Sequence, residues 1–163
     1  MSNSIVRSAL AISAMLVLGG IAQAQNASRP ENYCLSVQSG VPTGADCFAQ
    51  GATMGWVGSV QVSMNDFTLL VSGALPEAKG MFLYGMDQQR MPFGKGYLCI
   101  APPVQRLPGL LSVSDSGHAR YPLDLSVDAN AMFAAGTTWN FQFWYHEGRT
   151  FNLSDGLHVT FAR

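Results

Sequence analysis

Two alternating hydrophobic runs near the C-terminus constrain the fold more than any other feature of this chain. Residues 139–145 read Trp-Asn-Phe-Gln-Phe-Trp-Tyr, and residues 157–161 read Leu-His-Val-Thr-Phe. A period of two is typical of a β-strand that buries one face, and two such runs joined by a polar segment predict a β-hairpin. We place its loop near Phe151.

The parity of these runs divides the hairpin into two faces. The first face is apolar and should be core: Trp139, Phe141, Phe143, Tyr145, Leu157, Val159 and Phe161. The second face is mixed: Asn140, Gln142, Trp144, His146, His158 and Thr160. A slip of one residue would exchange the faces, so the pattern itself specifies the register. We predict a ligand-binding surface formed by Asn140, Gln142, Trp144, His146 and His158.

The rest of the chain is also rich in short strand patterns. Apolar residues alternate or cluster at 60–64, 67–71, 80–84, 97–100 and 119–125, with glycine and proline between them. Only 126–135 suggests a helix, of one or two turns. With the C-terminal hairpin, this gives about eight or nine short strands. The pattern predicts an all-β fold, an antiparallel β-sandwich, with a β-barrel as the alternative.

The N-terminus has the organisation of a secretory signal. Arg7 precedes an apolar run at 9–21, and Ala22-Gln23-Ala24 then gives a small-x-small cleavage site. The run is shorter than the roughly 20 residues of a transmembrane helix. We therefore predict a signal peptide at 1–24, cleaved near Ala24, a flexible lead-in at 25–31 and a single domain at 32–163. The mature protein should be secreted, periplasmic or displayed at the cell surface, with no membrane span.

The charge of the chain excludes some classes of partner. Only 12% of the residues are charged, and the formal net charge is −1 at pH 7. Basic clusters are absent, which argues against nucleic acid as a partner. The ligand should instead be extracellular, with carbohydrate and protein as the classes considered.

Three cysteines, Cys34, Cys47 and Cys99, leave the disulfide pairing open. An oxidising compartment favours disulfides, and three cysteines allow one bridge with one thiol left over. Their spacing matches no zinc motif.

Several ordered motifs are similar to those of a known group of proteins. They are Tyr33-Cys34, then Pro92-Phe93-Gly94 with Gly96 and Cys99, then 138–145 with Thr-Trp-Asn-Phe-Gln-Phe-Trp-Tyr, then 151–161 with Phe-Asn-Leu-Ser-Asp-Gly-Leu-x-Val-Thr-Phe. Together they resemble an uncharacterised bacterial secreted module that recurs in extracellular proteins and has no assigned activity.

The resemblance implies a disulfide, and at one place the sequence of this chain differs from that of the group. Members of that group commonly have cysteines at the positions of Cys34 and Cys99, so this pair is the preferred bridge and Cys47 the spare thiol. A local bridge from Cys34 to Cys47 competes with it. Members also often have Arg-Asp where this chain has His146-Glu147, so a fixed cation becomes a titratable group here.

Catalytic and metal signatures are weak. His146 and His158 share a face, but two ligands do not make a metal site, and we predict none. Residues 114–118, Ser-Asp-Ser-Gly-His, have the composition of a turn, and sequence adjacency does not create a catalytic triad. No cofactor is expected; calcium is the one cation considered, at turn carboxylates such as Asp66 and Asp155.

The leading functional hypothesis is a non-catalytic secreted or cell-envelope module that binds or associates with a ligand, and we expect no enzyme activity. One alternative is a small secreted glycan hydrolase that uses a carboxylate pair such as Glu147 and Asp155. The other is a self-assembling extracellular structural subunit. Trp144 and Tyr84 are a candidate platform for stacking sugars.

Overall fold

The computed structural model describes residues 28–34, 51–126 and 132–163, which form eleven β-strands and one turn of 3-10 helix at Val62–Met64. The strands are β1 Glu31–Tyr33, β2 Thr53–Val57, β3 Thr68–Ser72, β4 Lys79–Gly85, β5 Gln88–Phe93, β6 Gly96–Ile100, β7 Gln105–Arg106, β8 Leu111–Ser112, β9 Ala119–Pro122, β10 Thr138–Glu147 and β11 Thr150–Thr160.

The strands are arranged in three antiparallel groups. The main sheet has the order β1-β11-β10-β4-β7, and β8 also pairs with β4. The small sheet has the order β2-β3-β9, and β5 pairs with β6 in a separate hairpin, called here the cover hairpin. The strand order of the main sheet ends at β1 and β7 and does not close, so the sandwich prediction is confirmed and the barrel alternative is wrong.

The C-terminal hairpin has the predicted core face but a different loop. Each of its seven predicted core residues is at least nine-tenths buried. The turn is Gly148-Arg149, however, and Phe151 lies within β11 opposite His146, so the predicted loop centre is wrong. Gly148 has a φ of 64°, the left-handed conformation that a two-residue hairpin turn needs and that glycine adopts without strain.

A register shift in this hairpin changes the composition of its second face. Asn140 pairs with His158, but beyond a shift between Gln142 and Trp144 the latter pairs with Leu153. Such an irregularity rotates the later residues relative to the earlier ones. Leu153 and Phe151 therefore join Trp144 on the face away from the main core, which the alternation alone did not predict.

The main core fills the space between the inner face of the main sheet and the small sheet. Phe67, Leu69 and Val71 contribute from β3 and its approach, and Phe82 and Tyr84 from β4. Rings meet edge to face across the layers, as for Phe67 and Phe161 at 5.5 Å between centroids. Full burial of such side chains stabilises a fold by roughly 1.5–3 kcal/mol each.

A second apolar cluster lies on the outer face of the main sheet. The cover hairpin places Leu98 and Ile100 against Leu83 of β4 and Leu153 of β11. β5 and β6 turn at Gly94-Lys95. The cover hairpin therefore buries most of the outer face in a second core. The outer face is open to solvent only beyond the end of the hairpin.

One strand prediction was wrong. The segment 60–64 alternates like a strand, but it forms the 3-10 turn Val62–Met64. Asn65 takes a left-handed φ of 45°, and its N–H bonds to Val62 O. Its side-chain oxygen also accepts a hydrogen bond from the Leu125 N–H at 2.6 Å. This tertiary contact, which the local pattern does not encode, ends any strand here.

The predicted Cys34–Cys99 disulfide is confirmed, with 6.0 Å between the two Cα atoms. It joins the residue after β1 to β6 of the cover hairpin. Next to it, the Tyr33 hydroxyl donates a hydrogen bond to Cys99 O at 3.1 Å. The N-terminal strand and the cover hairpin are thus fastened together.

Some predictions fall outside the described residues: the signal peptide at 1–24, the state of Cys47, and half of the short helix at 126–135, namely 127–131. Glu31, the last residue of the predicted lead-in, already belongs to β1. Within the described part of the chain, no helix has the length and apolar character needed to cross a membrane.

Candidate functional site

The five residues of the predicted ligand-binding face divide into a covered group and an open group. Asn140 and Gln142 are fully buried beneath the cover hairpin. Trp144 and His158 are half-buried, and His146 is exposed. A ligand could therefore reach only part of the predicted surface without moving the hairpin.

Gln142 acts as a partner for the edge of β6. Its Oε1 accepts a hydrogen bond from the Cys99 N–H at 3.0 Å, and its Nε2 donates to Tyr97 O at 2.8 Å. The same Nε2 also donates to Ser154 O at 2.7 Å. The side-chain amide therefore satisfies a donor and an acceptor of β6 much as a neighbouring strand would.

Asn140 binds the cover hairpin where β5 begins. Its Nδ2 donates to Met86 O at 2.8 Å, and its Oδ1 accepts from Gln88 Nε2 at 2.9 Å. Oδ1 also lies 2.9 Å from His158 Nδ1. His158 Nδ1 also lies 3.2 Å from Gln88 Nε2, so the imidazole belongs to the same group of hydrogen-bonding side chains. His158 is thereby part of the fastening.

Trp144 belongs to a row of aromatic rings at the uncovered end of the outer face. Its indole lies 4.8 Å from the His146 ring and 5.8 Å from the Phe151 ring, between centroids. Phe151 in turn lies 5.0 Å from Phe93 at the tip of the cover hairpin. Tyr84, by contrast, packs in the main core on the opposite face of the sheet, so it cannot share a sugar platform with Trp144.

An open cavity lies beside this row, between the cover hairpin and the main sheet. Its volume is about 360 Å³. Its floor and walls are Met81, Leu83, Phe93, Leu98, Val104, Arg106, Trp144 and Phe151. Seven of these are apolar or aromatic and one is a cation. Cavities of roughly this size with an apolar lining and few polar groups are typical of small-molecule sites.

The two carboxylates proposed for glycan hydrolysis are separately engaged. Glu147 Oε1 forms an ion pair with Lys95 Nζ at 2.8 Å, and its Oε2 accepts a hydrogen bond from Asn152 Nδ2 at 3.0 Å. This pair joins the turn of the cover hairpin to the end of β10.

Asp155 is a buried carboxylate with bonds to two other strands. Its Oδ1 accepts from the Met54 N–H at 2.6 Å, and its Oδ2 accepts from Asn32 Nδ2 at 2.9 Å. Only 2% of the residue is exposed. Burial raises the pKa of this carboxyl to about 6, against the lowering effect of its hydrogen bonds.

The remaining sequence candidates give no assembled site. The Ser114 hydroxyl accepts the His118 N–H at 3.1 Å, which closes the predicted turn. Asp66 similarly accepts the Ser59 N–H at 2.8 Å. Among the residues that the structure describes, no group of three or more His, Cys, Asp or Glu side chains is placed to hold a metal ion.

Sequence reasoning did not find most of the cavity. It singled out Trp144, but Phe93, Val104 and Arg106 carry no local signal that connects them to it. They meet because β7 pairs with β4 and the cover hairpin folds across the sheet. Only the apolar run at 80–84 indicated a second buried surface, because Met81 and Leu83 on the outer face of β4 are as apolar as Phe82 and Tyr84 on the inner face.

Comparisons with models of protein families, with curated protein sequences and with solved structures find no match for this chain. Function therefore has to be inferred from the site itself.

Proposed function

We propose that this protein is a non-catalytic binding module whose ligand site is the cavity between the cover hairpin and the outer face of the main sheet. One observation carries the proposal. The cavity is open to solvent, yet it is lined by Trp144, Phe151 and Phe93 together with aliphatic side chains. Apolar surface left accessible in a concave site is a common mark of ligand binding.

The site also has a rigid setting. Its floor belongs to β4 and β10, two central strands of the main sheet, and Leu83 and Leu98 pack in the second apolar cluster. Gln142, Asn140 and the disulfide hold the cover hairpin in place. A preformed cavity of this kind avoids the cost of ordering its walls when a ligand binds.

We place this module outside the cytoplasm, secreted or in the cell envelope. The apolar run at 9–21 and the small-x-small sequence ending at Ala24 support export. The Cys34–Cys99 disulfide fits an oxidising compartment.

The hydrolase alternative receives no support from the carboxylates. Glu147 is occupied by Lys95 and Asn152, and Asp155 is buried with both oxygens bonded. A retaining or inverting mechanism needs two carboxyl groups that flank a bound substrate. The self-assembly alternative stays a prediction of the sequence.

The proposal can be tested with an uncharged apolar fluorophore, Nile red, titrated into the folded protein. We expect saturable binding that Trp144→Ala weakens by about tenfold or more, since the indole is a main wall of the cavity. The matched control is Trp56→Ala, because Trp56 is also half-buried but lies on β2 of the small sheet. Equal binding by both variants and the wild type would contradict the proposal.

A parallel assay addresses catalysis. The protein is incubated with a panel of soluble glycans, and reducing ends are measured over time. We expect no release. Release that disappears in Glu147→Gln would overturn the non-catalytic assignment in favour of the hydrolase.

A further inference from the structure

We infer that the cavity takes a small amphipathic anion, an apolar body with a single carboxylate-type head, and that Arg106 holds the head. This inference rests on the proposed function, because it names the class of ligand for the same cavity. It depends on where Arg106 lies, what it contacts, and which charges line the cavity.

The register of the main sheet places Arg106 beside the apolar floor. Arg106 of β7 pairs with Leu83 of β4, and Leu83 in turn pairs with Gln142 of β10. Directly opposed residues of antiparallel strands project to the same face. The Arg106 side chain therefore shares the outer face with Leu83, at the edge of the sheet where the cavity opens.

Arg106 has no anionic partner in the part of the chain that the structure describes. It takes part in no ion pair, side-chain hydrogen bond or ring contact there, and it is exposed. The guanidinium stays charged under all ordinary conditions and offers five N–H donors in a planar fork that matches a carboxylate. It is thus available to an anion from solution.

The polar side-chain groups that line the cavity are hydrogen-bond donors. Apart from Arg106, the side-chain lining contributes one polar atom that can form a conventional hydrogen bond, the indole N–H of Trp144, which has no hydrogen-bond partner among the described residues. The lining contains no Asp, Glu, Asn or Gln. A cationic ligand would meet Arg106 without a compensating acid, whereas an anion would meet the Arg106 donors and no carboxylate in the lining.

The apolar body follows from the rest of the lining. Met81 pairs with Trp144 across β4 and β10, so both project to the same floor two residues along from Leu83. Phe93, Leu98 and Phe151 enclose the sides. With a volume of about 360 Å³, the cavity lies near the small end of ligand sites, which favours a single short chain or ring over a long lipid.

Three probes of equal length separate charge from apolar contact: sodium octanoate, 1-octanol and octylammonium chloride, each titrated calorimetrically below its aggregation limit at pH 7.4. We expect octanoate to bind most tightly and octylammonium least tightly. Added salt should weaken octanoate more than octanol, because the Arg106 contact is exposed and screened.

Variants then assign the charge effect to Arg106. Arg106→Gln should weaken octanoate by about tenfold or more, as expected for a lost hydrogen-bonded charge contact, and leave octanol unchanged. Arg106→Lys should restore part of the loss. The matched control is Arg120→Gln, because Arg120 is also an exposed arginine on an edge strand, β9 of the small sheet, outside this cavity.

The outcomes separate this inference from the proposed function. If octanol and octanoate bind equally and Arg106→Gln changes neither, the anion inference fails while the apolar binding site stands. Tighter binding of octylammonium would have the same consequence. If none of the three probes binds, or if Trp144→Ala changes no affinity, both the inference and the proposed function fail.

Discussion

Asp155 illustrates how a residue that resembles a catalytic candidate can be committed to the fold. It accepts hydrogen bonds from Met54 of β2 and Asn32 of β1, so one carboxylate connects three strands at the edge of the sandwich. In the sequence it belongs to a polar Ser-Asp-Gly segment that indicates a turn. The structure instead places it within β11, where it accepts from a backbone N–H of β2 and a side-chain amide of β1.

The burial of Asp155 has a consequence for stability at different pH values. Its pKa in the folded protein is raised from 3.8 to about 6, so the folded state holds this proton more tightly than the unfolded state. We expect the contribution of Asp155 to the free energy of unfolding to fall by up to about 3 kcal/mol as the pH rises from about 4 to above 6. Below about pH 4 this contribution is fully present.

Urea denaturation across this pH range measures the effect. In the Asp155→Asn variant, the free energy of unfolding should no longer fall in this way as the pH rises. In Asp115→Asn, which changes an exposed aspartate in a turn, the fall should remain. A wild-type profile that rises through this range, with no difference between the two variants, would contradict the assignment.

Polar side chains were the least predictable part of the candidate site. The alternation correctly placed Asn140 and Gln142 on the face opposite the core, and a polar residue on such a face suggests exposure. Both are buried because the cover hairpin folds over them, and their amides serve its backbone. Nothing local in β10 indicates which segment will cover it.

At the level of elements, the cover hairpin is attached to the main sheet mainly by side chains. Gln142 and Asn140 hold it from below, and Lys95 pairs with Glu147 at its turn. Among the described residues, its one backbone hydrogen bond to the main sheet runs from Lys95 N to Phe151 O, at 3.1 Å. The attachment therefore depends on a few identifiable groups.

Removal of the Gln142 amide should loosen this attachment. We expect Gln142→Leu to lower the free energy of unfolding by roughly 2–4 kcal/mol, because it leaves Cys99 N–H, Tyr97 O and Ser154 O buried without their partner. Amide hydrogen exchange should also become faster in β6 than in the β10–β11 hairpin. The measurements are chemical denaturation and exchange monitored by mass spectrometry.

Gln61→Leu is the control for that variant, since Gln61 is exposed and its side chain forms no hydrogen bond in the described structure. If both variants had equal stability and unchanged exchange in β6, Gln142 would not be the fastening that its geometry indicates.

Strong periodicity made the elements more predictable than their connections. β10, β11, β4 and β9 were recognisable because each combines strand-forming residues with a clear pattern of burial. β9 ends at Pro122 and is an edge strand, a position that tolerates proline. The segment at 60–64 had the same alternation and failed, because Asn65 bonds to Leu125 across a long sequence separation. The short β2 had no pattern strong enough to detect.

For the whole molecule, the fold class could be predicted and the layering could not. Alternation indicates that a strand has two environments, but it does not say whether the second environment is solvent or another layer. Here the answer depends on the cover hairpin, which is distant in sequence from β10 and β11, the strands that it packs against. The cavity arises at the boundary of that layer, so its walls could not be assembled from local patterns.

The proposed export makes a prediction about the intact protein. The mature chain recovered from the culture medium or periplasm should begin at Gln25, and a non-reduced digest should contain a peptide joining Cys34 to Cys99, with Cys47 as a free thiol. Export provides the oxidising environment in which that bridge persists. Terminal sequencing and peptide mapping by mass spectrometry are the measurements.

Recovery of exported protein that retains Met1 would contradict cleavage near Ala24. A peptide joining Cys34 to Cys47 would contradict both the disulfide and the position of the cover hairpin relative to β1.

Because the cover hairpin belongs to neither strand ladder, it is a replaceable part of the architecture. β5 and β6 form a separate two-stranded unit in the described structure, and the order of strands in both sheets does not pass through them. Exchange of cavity-lining residues such as Phe93 could reshape the cavity without altering the register of the sandwich. A related chain could thus acquire a different ligand on the same scaffold, and a library confined to this hairpin would be a natural starting point for engineering new binding specificities.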